Sequence, residues 1–308
     1  LTSFLIVKVM KSLGILLFFV LPLLLLSCKG KPSEQQTYTS GKEQILVDES
    51  FAPIIEDQAY LFESTYTDAN IDLVMKSENE LLNLFLSDSI QVAIVSRLLN
   101  AQETRHFEAK NIKVRINRFA IDGIALITHN SSNYLNVDVS DIINILKGEK
   151  SSLKSLVFDN ANSSTIRYFK ELAGIKNLPQ EGIYALKSNS DVIIYVNDNP
   201  GSIGVVGVNW MVQPPVELEK IVEELKILGV KNTSGQPGSD AYYKPTQNDI
   251  AIGMYPLTRS LYVINCEGGA GLGTGFASFI AGERGQRIVL KSGLLPDSIP
   301  SREINIVN

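Results

Sequence analysis

Residues 44–66, QILVDESFAPIIEDQAYLFESTY, contain the first strand and the first helix that the sequence predicts after its N-terminal region. The first four of these residues form an apolar run that predicts a short strand. Pro53 begins a segment that reaches Tyr66 and is typical of a helix, because proline is favoured in the first helical turn. A small polar loop, Asp48-Glu49-Ser50-Phe51, joins the two. A strand, a polar loop and a helix in this order predict a unit of a parallel α/β sheet.

The same alternation continues along the chain. Further strands are predicted at 71–75, 92–95, 114–128, 156–158, 202–208 and 255–264. Further helices are predicted at 78–86, after Asn100, at 139–146, from Ser163 to near Gly174, and at 276–289. Residues 216–230 fit a helix followed by a strand, and the glycine-rich segment 268–275 is typical of a loop before the last helix.

The N-terminus has the layout of an export signal. Two lysines precede an apolar run at 13–26, which is too short to span a membrane comfortably. The segment Leu25-Leu26-Ser27-Cys28 follows the pattern at which a lipoprotein is cleaved and acylated. We therefore expect a lipoprotein signal peptide at 1–27, a lipid on Cys28, and a polar, flexible tether at 28–44. The alternative is a buried apolar helix with an incidental cysteine.

Composition excludes several classes of function. The chain is 44% hydrophobic and 20% charged, which is typical of a globular protein, and its net charge of −5 argues against nucleic acid as a partner. With Cys28 acylated, Cys266 has no partner for a disulfide. Two cysteines and two histidines do not predict a structural metal site, and no motif predicts a cofactor.

Three loops share a design that suits an anion. Ser50, Ser96 and the run Ser163-Ser164-Thr165 each follow a predicted strand and precede a predicted helix. Helix N-termini offer unpaired amides and the positive end of the helix dipole, and hydroxyls can donate to anion oxygens. Each loop taken alone is better explained by ordinary helix capping.

Seven motifs together carry a resemblance. They are Ser50-Phe51-Ala52-Pro53, Val92-Ala93-Ile94-Val95-Ser96-Arg97, Ala120-Ile121-Asp122-Gly123-Ile124-Ala125, Ser163-Ser164-Thr165, Pro200-Gly201-Ser202-Ile203-Gly204, Tyr255-Pro256-Leu257-Thr258-Arg259 and Gly275-Phe276-Ala277-Ser278-Phe279-Ile280. In order and spacing the chain resembles, from about 45 to 298, the phosphate-binding proteins of high-affinity phosphate ABC transporters, which have the type II periplasmic binding-protein fold.

The resemblance implies an α/β fold of two lobes, with two mixed sheets flanked by helices and joined by two hinge strands. Lobe one would comprise 45–127 plus 256–308, and lobe two 128–255. The crossings are expected near 126–129 and 255–258.

It also implies a function. The protein would be an extracytoplasmic solute-binding lipoprotein, a monomer anchored to a membrane through Cys28. It would capture inorganic phosphate in the cleft between the lobes and deliver it to the permease subunits of an ABC transporter. It would not be an enzyme.

The resemblance further assigns roles to residues. The Ser50 hydroxyl, the Phe51 amide and the Ser96 hydroxyl would donate to phosphate, and Asp122 would accept a hydrogen bond from a protonated phosphate oxygen. Ser163, Ser164 and Thr165 would hold the remaining oxygens, with Ser164 standing where better-known members have glycine.

The cation that neutralises the phosphate is the open point. Better-known members carry an arginine four residues before the first serine of the Ser-Gly-Thr run, and here that position is Asp159. Arg97, beside Ser96, is the first candidate to replace it. Arg167 is the next, and Arg259 follows as a residue of the hinge region.

Asp122 offers a physical basis for selectivity. An ionised carboxylate repels a dianion unless a ligand proton lies between them, and phosphate carries such a proton near neutral pH whereas sulfate does not. A site built around one specific hydrogen bond rejects an analogue lacking it by roughly 10⁴-fold or more. The alternative is that Asp122-Gly123 forms a turn, which its apolar, β-like surroundings disfavour.

Three other functions remain open at this stage. The protein could bind another oxyanion such as sulfate or molybdate, or sense phosphate without a transporter. It could also be a secreted hydrolase with Ser50 or Ser164 as nucleophile, which requires a base within hydrogen-bond reach. Neither His106 nor His129 is close in sequence to those serines.

Overall fold

The computed structural model describes residues 36–299. The predicted signal peptide at 1–27 and the predicted lipid attachment at Cys28 lie outside the described residues. Among residues 36–299, no helix combines the length and the apolar composition that crossing a bilayer requires.

Twelve strands occur in the described part of the chain. They are β1 Gly41–Asp48, β2 Ala69–Lys76, β3 Val92–Val95, β4 Arg115–His129, β5 Asn136–Asp138, β6 Leu156–Phe158, β7 Ile183–Ala185, β8 Ile203–Gly207, β9 Leu225–Ile227, β10 Gly229–Lys231, β11 Thr258–Asn265 and β12 Leu295–Pro296.

Eleven α-helices and two 3₁₀ turns alternate with these strands in the same range. The helices are α1 Ala52–Thr65, α2 Glu78–Leu86, α3 Ala101–Ala109, α4 Val139–Leu146, α5 Ser164–Ala173, α6 Asn189–Asp198, α7 Asn209–Val212, α8 Glu219–Glu223, α9 Gln247–Ala251, α10 Leu272–Ala281 and α11 Glu283–Lys291. The 3₁₀ turns are Glu49–Phe51 and Val216–Leu218.

Most strands join one curled, mixed sheet in the order β2-β1-β3-β11-β4-β8-β6-β7, with β9 and β12 also paired to β4. β1 is parallel to β2 and β3, whereas β11 is antiparallel to β3 and β4. β5 and β10 form a separate parallel pair. The predicted α/β class, with mixed pairing and flanking helices, is confirmed. The two sheets that were predicted are one continuous sheet, because β4 pairs with β11 and with β8.

Strand β4 belongs to both halves of this sheet. Its residues 115–123 pair with β11, and its residues 124–129 pair with β8 and β9. We call the part from β2 to β11 the first half and the part from β8 to β7 the second half. At the change of partner, a side chain on Gly123 would meet the Cβ of Pro245 at 2.7 Å, so a close approach of the chain requires glycine there.

Each half of the sheet has its own aromatic core. In the first half, the rings of Phe62 and Phe276 meet edge to face at 5.4 Å, and in the second half Phe158 and Phe169 do so at 5.2 Å. Burying each of these rings stabilises the fold by about 1.5–3 kcal/mol. The two cores hold the carboxyl ends of β1, β3 and β6 rigidly, and the candidate site lies there.

Several predicted helices and strands match closely. The predicted bounds 78–86, 92–95, 139–146 and 156–158 are those of α2, β3, α4 and β6. The predicted capping box at Asn100 and Glu103 is also present at the start of α3. The segment 216–230 is a 3₁₀ turn, a helix and two strands, as its mixed pattern indicated.

Two predicted boundaries are wrong. Strand β1 begins at Gly41, inside the predicted tether 28–44, because it pairs with β2 along its whole length from Gly41 opposite Ala69. The predicted helix 276–289 is instead α10 and α11, and α10 begins inside the glycine-rich segment. The Glu267 carboxylate accepts the N–H groups of Gly273 and Thr274 and so caps α10, a role that local sequence did not reveal.

Candidate functional site

The first loop of the site is built by Asp48. β1 ends at this residue, and its carboxylate accepts the backbone N–H of Ser50 at 3.1 Å, which closes the 3₁₀ turn Glu49–Phe51. Asp48, Ser50 and Phe51 are fully buried. Pro53 lies in the first turn of α1, where its missing N–H costs nothing. The turn therefore points the Ser50 side chain inward instead of toward solvent.

The second loop leads into helix α5. Ser163 is the N-cap residue; its hydroxyl accepts the N–H of Ile166 at 3.2 Å and donates to Asp159 at 2.6 Å. Its backbone N–H donates to the carbonyl of Asn160. Ser164 and Thr165 follow in the first turn, and both are fully buried. The positive end of the α5 dipole is thus directed at this buried hydroxyl pair.

Arg259, from β11, lies between the two loops. Its Nε donates to Asp122 at 2.9 Å, and its Nη1 donates to the hydroxyls of Ser164 at 3.0 Å and Thr165 at 3.2 Å. The ring of Phe51 covers the guanidinium at 4.6 Å. The Arg259 side chain is only 2% exposed, so this charge acts in a dry environment, where electrostatic interactions are strong.

Ser50 reaches the second half of the sheet. Its hydroxyl lies 3.4 Å from Asp159 and 3.5 Å from the Ser164 hydroxyl. Its carbonyl accepts the indole N–H of Trp210 at 2.9 Å. The arrangement therefore brings one loop from each half together around a single guanidinium. We call Asp48, Ser50, Asp122, Asp159, Ser164, Thr165 and Arg259 the Arg259 cluster.

The carboxyl groups of the Arg259 cluster have raised pKa values. Burial raises the pKa of Asp48 to about 6, helped by Glu78 and opposed by Arg259. Burial also raises the pKa of Asp122, against the attraction of Arg259, and that of Asp159, against its hydrogen bond from Ser163. Three buried acids thus lie near one cation, and the raised pKa values show that burial favours the neutral forms of these acids.

A second cluster lies at the carboxyl end of β3. Arg167 donates from Nε and Nη2 to Glu78 at 2.5 and 3.0 Å, and from Nη2 to the Ser96 hydroxyl at 3.1 Å. Arg97 donates to both carboxylate oxygens of Glu103 at 2.8 and 2.7 Å. We call these five residues the Glu78 cluster, because Glu78 is its buried acid.

The predicted site residues therefore fall into two groups. Ser50, Phe51, Asp122 and the run 163–165 meet around Arg259, whereas Ser96, Arg97 and Arg167 form the Glu78 cluster. The anion-binding role of each remains a prediction. The structure adds Asp48 and Asp159 to the surroundings of Ser164. Asp48 lies in the loop Asp48-Glu49-Ser50-Phe51, and Asp159 occupies the position of an arginine in better-known family members. Neither acid was predicted to belong to the site, because an acidic side chain does not by itself indicate an anion site.

Comparison with known families gives a match over most of the chain. A family model described as "PBP superfamily domain" matches residues 32–284.

A curated relative is the "Phosphate-binding protein PstS" of Staphylococcus aureus (strain USA300). It is 23% identical over 227 residues, which are 69% of this chain and 64% of that protein. The chain thus spans somewhat less than two thirds of the length of the curated relatives it matches.

Two solved structures share the fold. One is a putative phosphate ABC transporter substrate-binding protein with bound phosphate from Clostridium perfringens, at TM-score 0.68 and 20% identity, covering 84% of this chain and 100% of that one. The other is an ABC-type phosphate transport receptor from Vibrio cholerae, at TM-score 0.60 and 17% identity, covering 83% and 100%.

Proposed function

This chain belongs to the PBP superfamily, and we propose that it is an extracytoplasmic binding protein that captures inorganic phosphate for an ABC permease. The observation that carries the proposal is the Arg259 cluster. It combines a buried guanidinium, the N-terminus of α5 and a group of hydroxyls from both halves of the sheet. The names of the three similar proteins given above, which are phosphate-binding or phosphate-transport proteins, agree with this chemistry.

Each member of the cluster has a role in the proposal. Arg259 neutralises the anion, in place of the arginine that Asp159 replaces. Ser50, Ser164 and Thr165 donate hydroxyls, and the Phe51 amide donates from the first loop. Donors held in place by a folded, buried site do not have to be ordered when the ligand binds, which favours affinity.

Asp122 is the proposed selectivity residue. Its carboxylate is fully buried. Burial raises the pKa of this carboxyl, and the charge and hydrogen bond of Arg259 oppose that shift. An ionised carboxylate accepts the proton of a phosphate hydroxyl but repels sulfate, which has no proton to offer near neutral pH. Selection of phosphate over sulfate follows from this difference in protonation.

A hydrolase has less support. In residues 36–299, the hydroxyls of Ser50 and Ser164 have Asp159, Arg259 and each other as hydrogen-bond partners. His129 is hydrogen-bonded to Ser131, and the ring of His106 packs on Phe107. In this range neither histidine is a hydrogen-bond partner of Ser50 or Ser164, so the structure offers no histidine to activate either serine.

The same proposal includes membrane attachment through Cys28 and a monomeric state. It also divides the chain into two lobes, one at 45–127 plus 256–308 and the other at 128–255. Metabolic labelling with a fatty acid, followed by mass spectrometry of the N-terminal peptide, tests the lipid. Absence of the lipid on the mature protein would leave phosphate capture intact but would remove the anchor.

The central test is calorimetric titration of the purified protein with phosphate and then sulfate, after unfolding and refolding to remove bound anion. We expect one-to-one phosphate binding and little response to sulfate. Ser164→Ala should weaken phosphate binding by about tenfold or more, since a hydrogen bond to a charged group is lost. Ser278→Ala, on the exposed face of α10, is the matched control and should bind as the wild type does. A folded protein that ignores phosphate would overturn the proposal.

A further inference from the structure

The short segment after β8, residues 207–210, lies next to the Arg259 cluster, and none of its residues has a role in the proposed function. β8 ends at Gly207, and α7 begins at Asn209. The intervening Val208 donates its N–H to the carbonyl of Gly123 at 2.9 Å, where β4 changes partner. Trp210 holds the carbonyl of Ser50 at 2.9 Å. The residues on both sides of Asn209 are therefore hydrogen-bonded to the change of partner in β4 and to the first loop, which places Asn209 next to both.

Asn209 is fully buried, yet neither its Nδ2 nor its Oδ1 has a hydrogen-bond partner among residues 36–299. The same holds, within that range, for Nη2 of Arg259 and Oδ1 of Asp122. A folded protein seldom leaves buried polar atoms unpaired, because each loses its hydrogen bonds to water. Four such atoms on three neighbouring side chains call for a common partner.

The four atoms belong to side chains that converge on Gly207. A Cβ on Gly207 would lie 2.5 Å from Asn209 Oδ1, 3.2 Å from Asp122 Oδ2 and 3.6 Å from Arg259 Nη2. Any larger residue at 207 would press into this group. The absence of a side chain there leaves the three polar groups facing one small region, bordered by the guanidinium that the proposed function assigns to the anion.

We infer that Asn209 is a ligand-binding residue that determines specificity, its side-chain amide contacting the bound oxyanion beside Arg259 Nη2 and Asp122 Oδ1. The inference rests on the proposed function. A side-chain amide offers both donors and an acceptor. Near neutral pH phosphate is a mixture of the dianion, with one hydroxyl, and the monoanion, with two. The monoanion can donate one hydroxyl to Asp122 and the other to Asn209 Oδ1, while a bare oxygen accepts from Nδ2. Sulfate presents acceptors alone and leaves Oδ1 unpaired. Asn209 thus selects a tetrahedral oxyanion that carries a hydroxyl.

The test compares two buried asparagines. Among residues 36–299 the side chain of Asn209 has no hydrogen-bond partner, whereas that of Asn265 has partners for both its Nδ2 and its Oδ1. Asn265 is also buried, but its Nδ2 donates to Thr274 at 2.9 Å and its Oδ1 accepts the N–H of Glu267 at 2.7 Å. Asn209→Ala and Asn265→Ala are measured by calorimetry with phosphate and sulfate, and by thermal unfolding of the anion-free protein. Asn209→Asp, of nearly identical size, serves where the alanine variant does not fold.

For Asn209→Ala we expect an anion-free Tm equal to or above that of the wild type, because two unpaired buried groups disappear. The Kd for phosphate should rise about ten- to a hundredfold, and the preference over sulfate should fall. Asn209→Asp should weaken phosphate further, since it adds an acid next to Asp122. Asn265→Ala should do the reverse, lowering Tm and leaving the phosphate Kd within about twofold.

The possible results distinguish the proposed function from the inference about Asn209. A wild-type protein that does not bind phosphate overturns the proposed function, and this inference with it. A wild-type protein that binds phosphate, together with an unchanged Kd in both Asn209 variants, overturns the inference alone. A lower Tm for Asn209→Ala with an unchanged Kd assigns the residue a purely structural role and overturns it as well.

Discussion

The Arg259 cluster and the Glu78 cluster use the same kinds of side chain in opposite ways. In the Glu78 cluster, Arg167 and Arg97 direct their donors at carboxylates, and their side chains are 24% and 21% exposed. In the Arg259 cluster, the guanidinium meets one carboxylate and two hydroxyls, is 2% exposed, and leaves Nη2 without a partner among residues 36–299.

This difference bears on how an arginine for an anion is recognised. A guanidinium whose donors are occupied by carboxylates of the same chain is already neutralised, and it serves to join the elements that carry those acids. A guanidinium that is buried among hydroxyls and keeps a donor has capacity for a further anion. By this criterion Arg259 is the arginine that we propose for phosphate, and Arg167 joins the two halves of the sheet.

The largest expected effect belongs to Arg259→Ala. Removing the guanidinium leaves Asp122 buried without its partner, and breaking such a buried pair lowers the free energy of unfolding by about 3–5 kcal/mol. Phosphate binding should be lost. The double variant Arg259→Ala/Asp122→Asn should recover part of the stability but none of the binding. Chemical denaturation and calorimetry measure both. Arg118→Ala, at an exposed ion pair, is the control. Retained phosphate binding in Arg259→Ala would contradict the comparison.

The position of Arg259 shows where sequence reasoning stops. Arg259 lies opposite Asp122 in the antiparallel pairing of β11 with β4, so strand register makes the ion pair between residues 137 apart in sequence. Nothing in the local pattern of either segment fixes that register. By contrast, the 3₁₀ turn at Ser50 and the start of α5 depend on nearby residues, and the sequence located both loops.

Arg97 illustrates the opposite case. Its position next to Ser96 made it the first candidate, but neighbours in sequence need not point the same way. The capping box that the sequence predicted at Asn100 and Glu103 brings the Glu103 carboxylate close to Arg97, which binds it with two hydrogen bonds. The local sequence thus contains the partner of Arg97. That Arg97 lies outside the Arg259 cluster is a matter of tertiary structure, which the local sequence does not show.

The second largest effect is expected for Arg167→Ala. The Glu78–Arg167 pair joins α2 to α5, one from each half of the sheet, and Glu78 is 1% exposed. Because Arg167 itself is partly exposed, its removal should lower the free energy of unfolding by about 1–3 kcal/mol. The phosphate Kd should rise far less than for Arg259→Ala, since this pair acts through the contact between the halves.

Glu78→Gln separates charge from shape at the same pair. The glutamine keeps the size of the side chain. In Arg167→Ala the buried Glu78 carboxylate loses two close hydrogen bonds and keeps a longer contact with Arg97 Nε at 3.6 Å. Arg167→Ala/Glu78→Gln removes this poorly compensated charge and should therefore be more stable than Arg167→Ala alone. Equal stability of the single and the double variant, measured by denaturation, would show that Glu78 does not depend on Arg167.

The two clusters should also respond to pH in opposite directions. Burial raises the pKa of Asp48 from 3.8 to about 6, so the folded state favours the neutral acid and Asp48 reduces stability as pH rises through this range. The hydrogen bond from Arg97 lowers the pKa of Glu103 from 4.5, so Glu103 adds stability above that value and loses it as pH falls.

Two variants test this contrast. As pH rises from about 4 to about 7, the Tm of Asp48→Asn should fall less than that of the wild type, because the variant has no buried acid to ionise at this position. The Tm of Glu103→Gln should lie below that of the wild type at about pH 7, and the difference should be smaller at about pH 4. Thermal unfolding of the anion-free protein across this range measures both. Parallel Tm profiles for the wild type and Asp48→Asn would show that Asp48 has an ordinary pKa.

The smallest effect is expected for Arg97→Ala, and it tests the comparison most directly. The variant removes a partly exposed ion pair with Glu103 and a longer contact with Glu78 at 3.6 Å, and Arg167 still pairs with Glu78. The expected loss of stability is therefore about 1 kcal/mol or less. Because Arg97 gives its donors to Glu103 and to the carbonyl of Leu98, the phosphate Kd should stay within about twofold of the wild-type value. A loss of phosphate binding as large as that of Arg259→Ala would mean that Arg97 leaves Glu103 when the anion arrives. The partners of an arginine in the anion-free protein would then be no guide to which one binds the ligand.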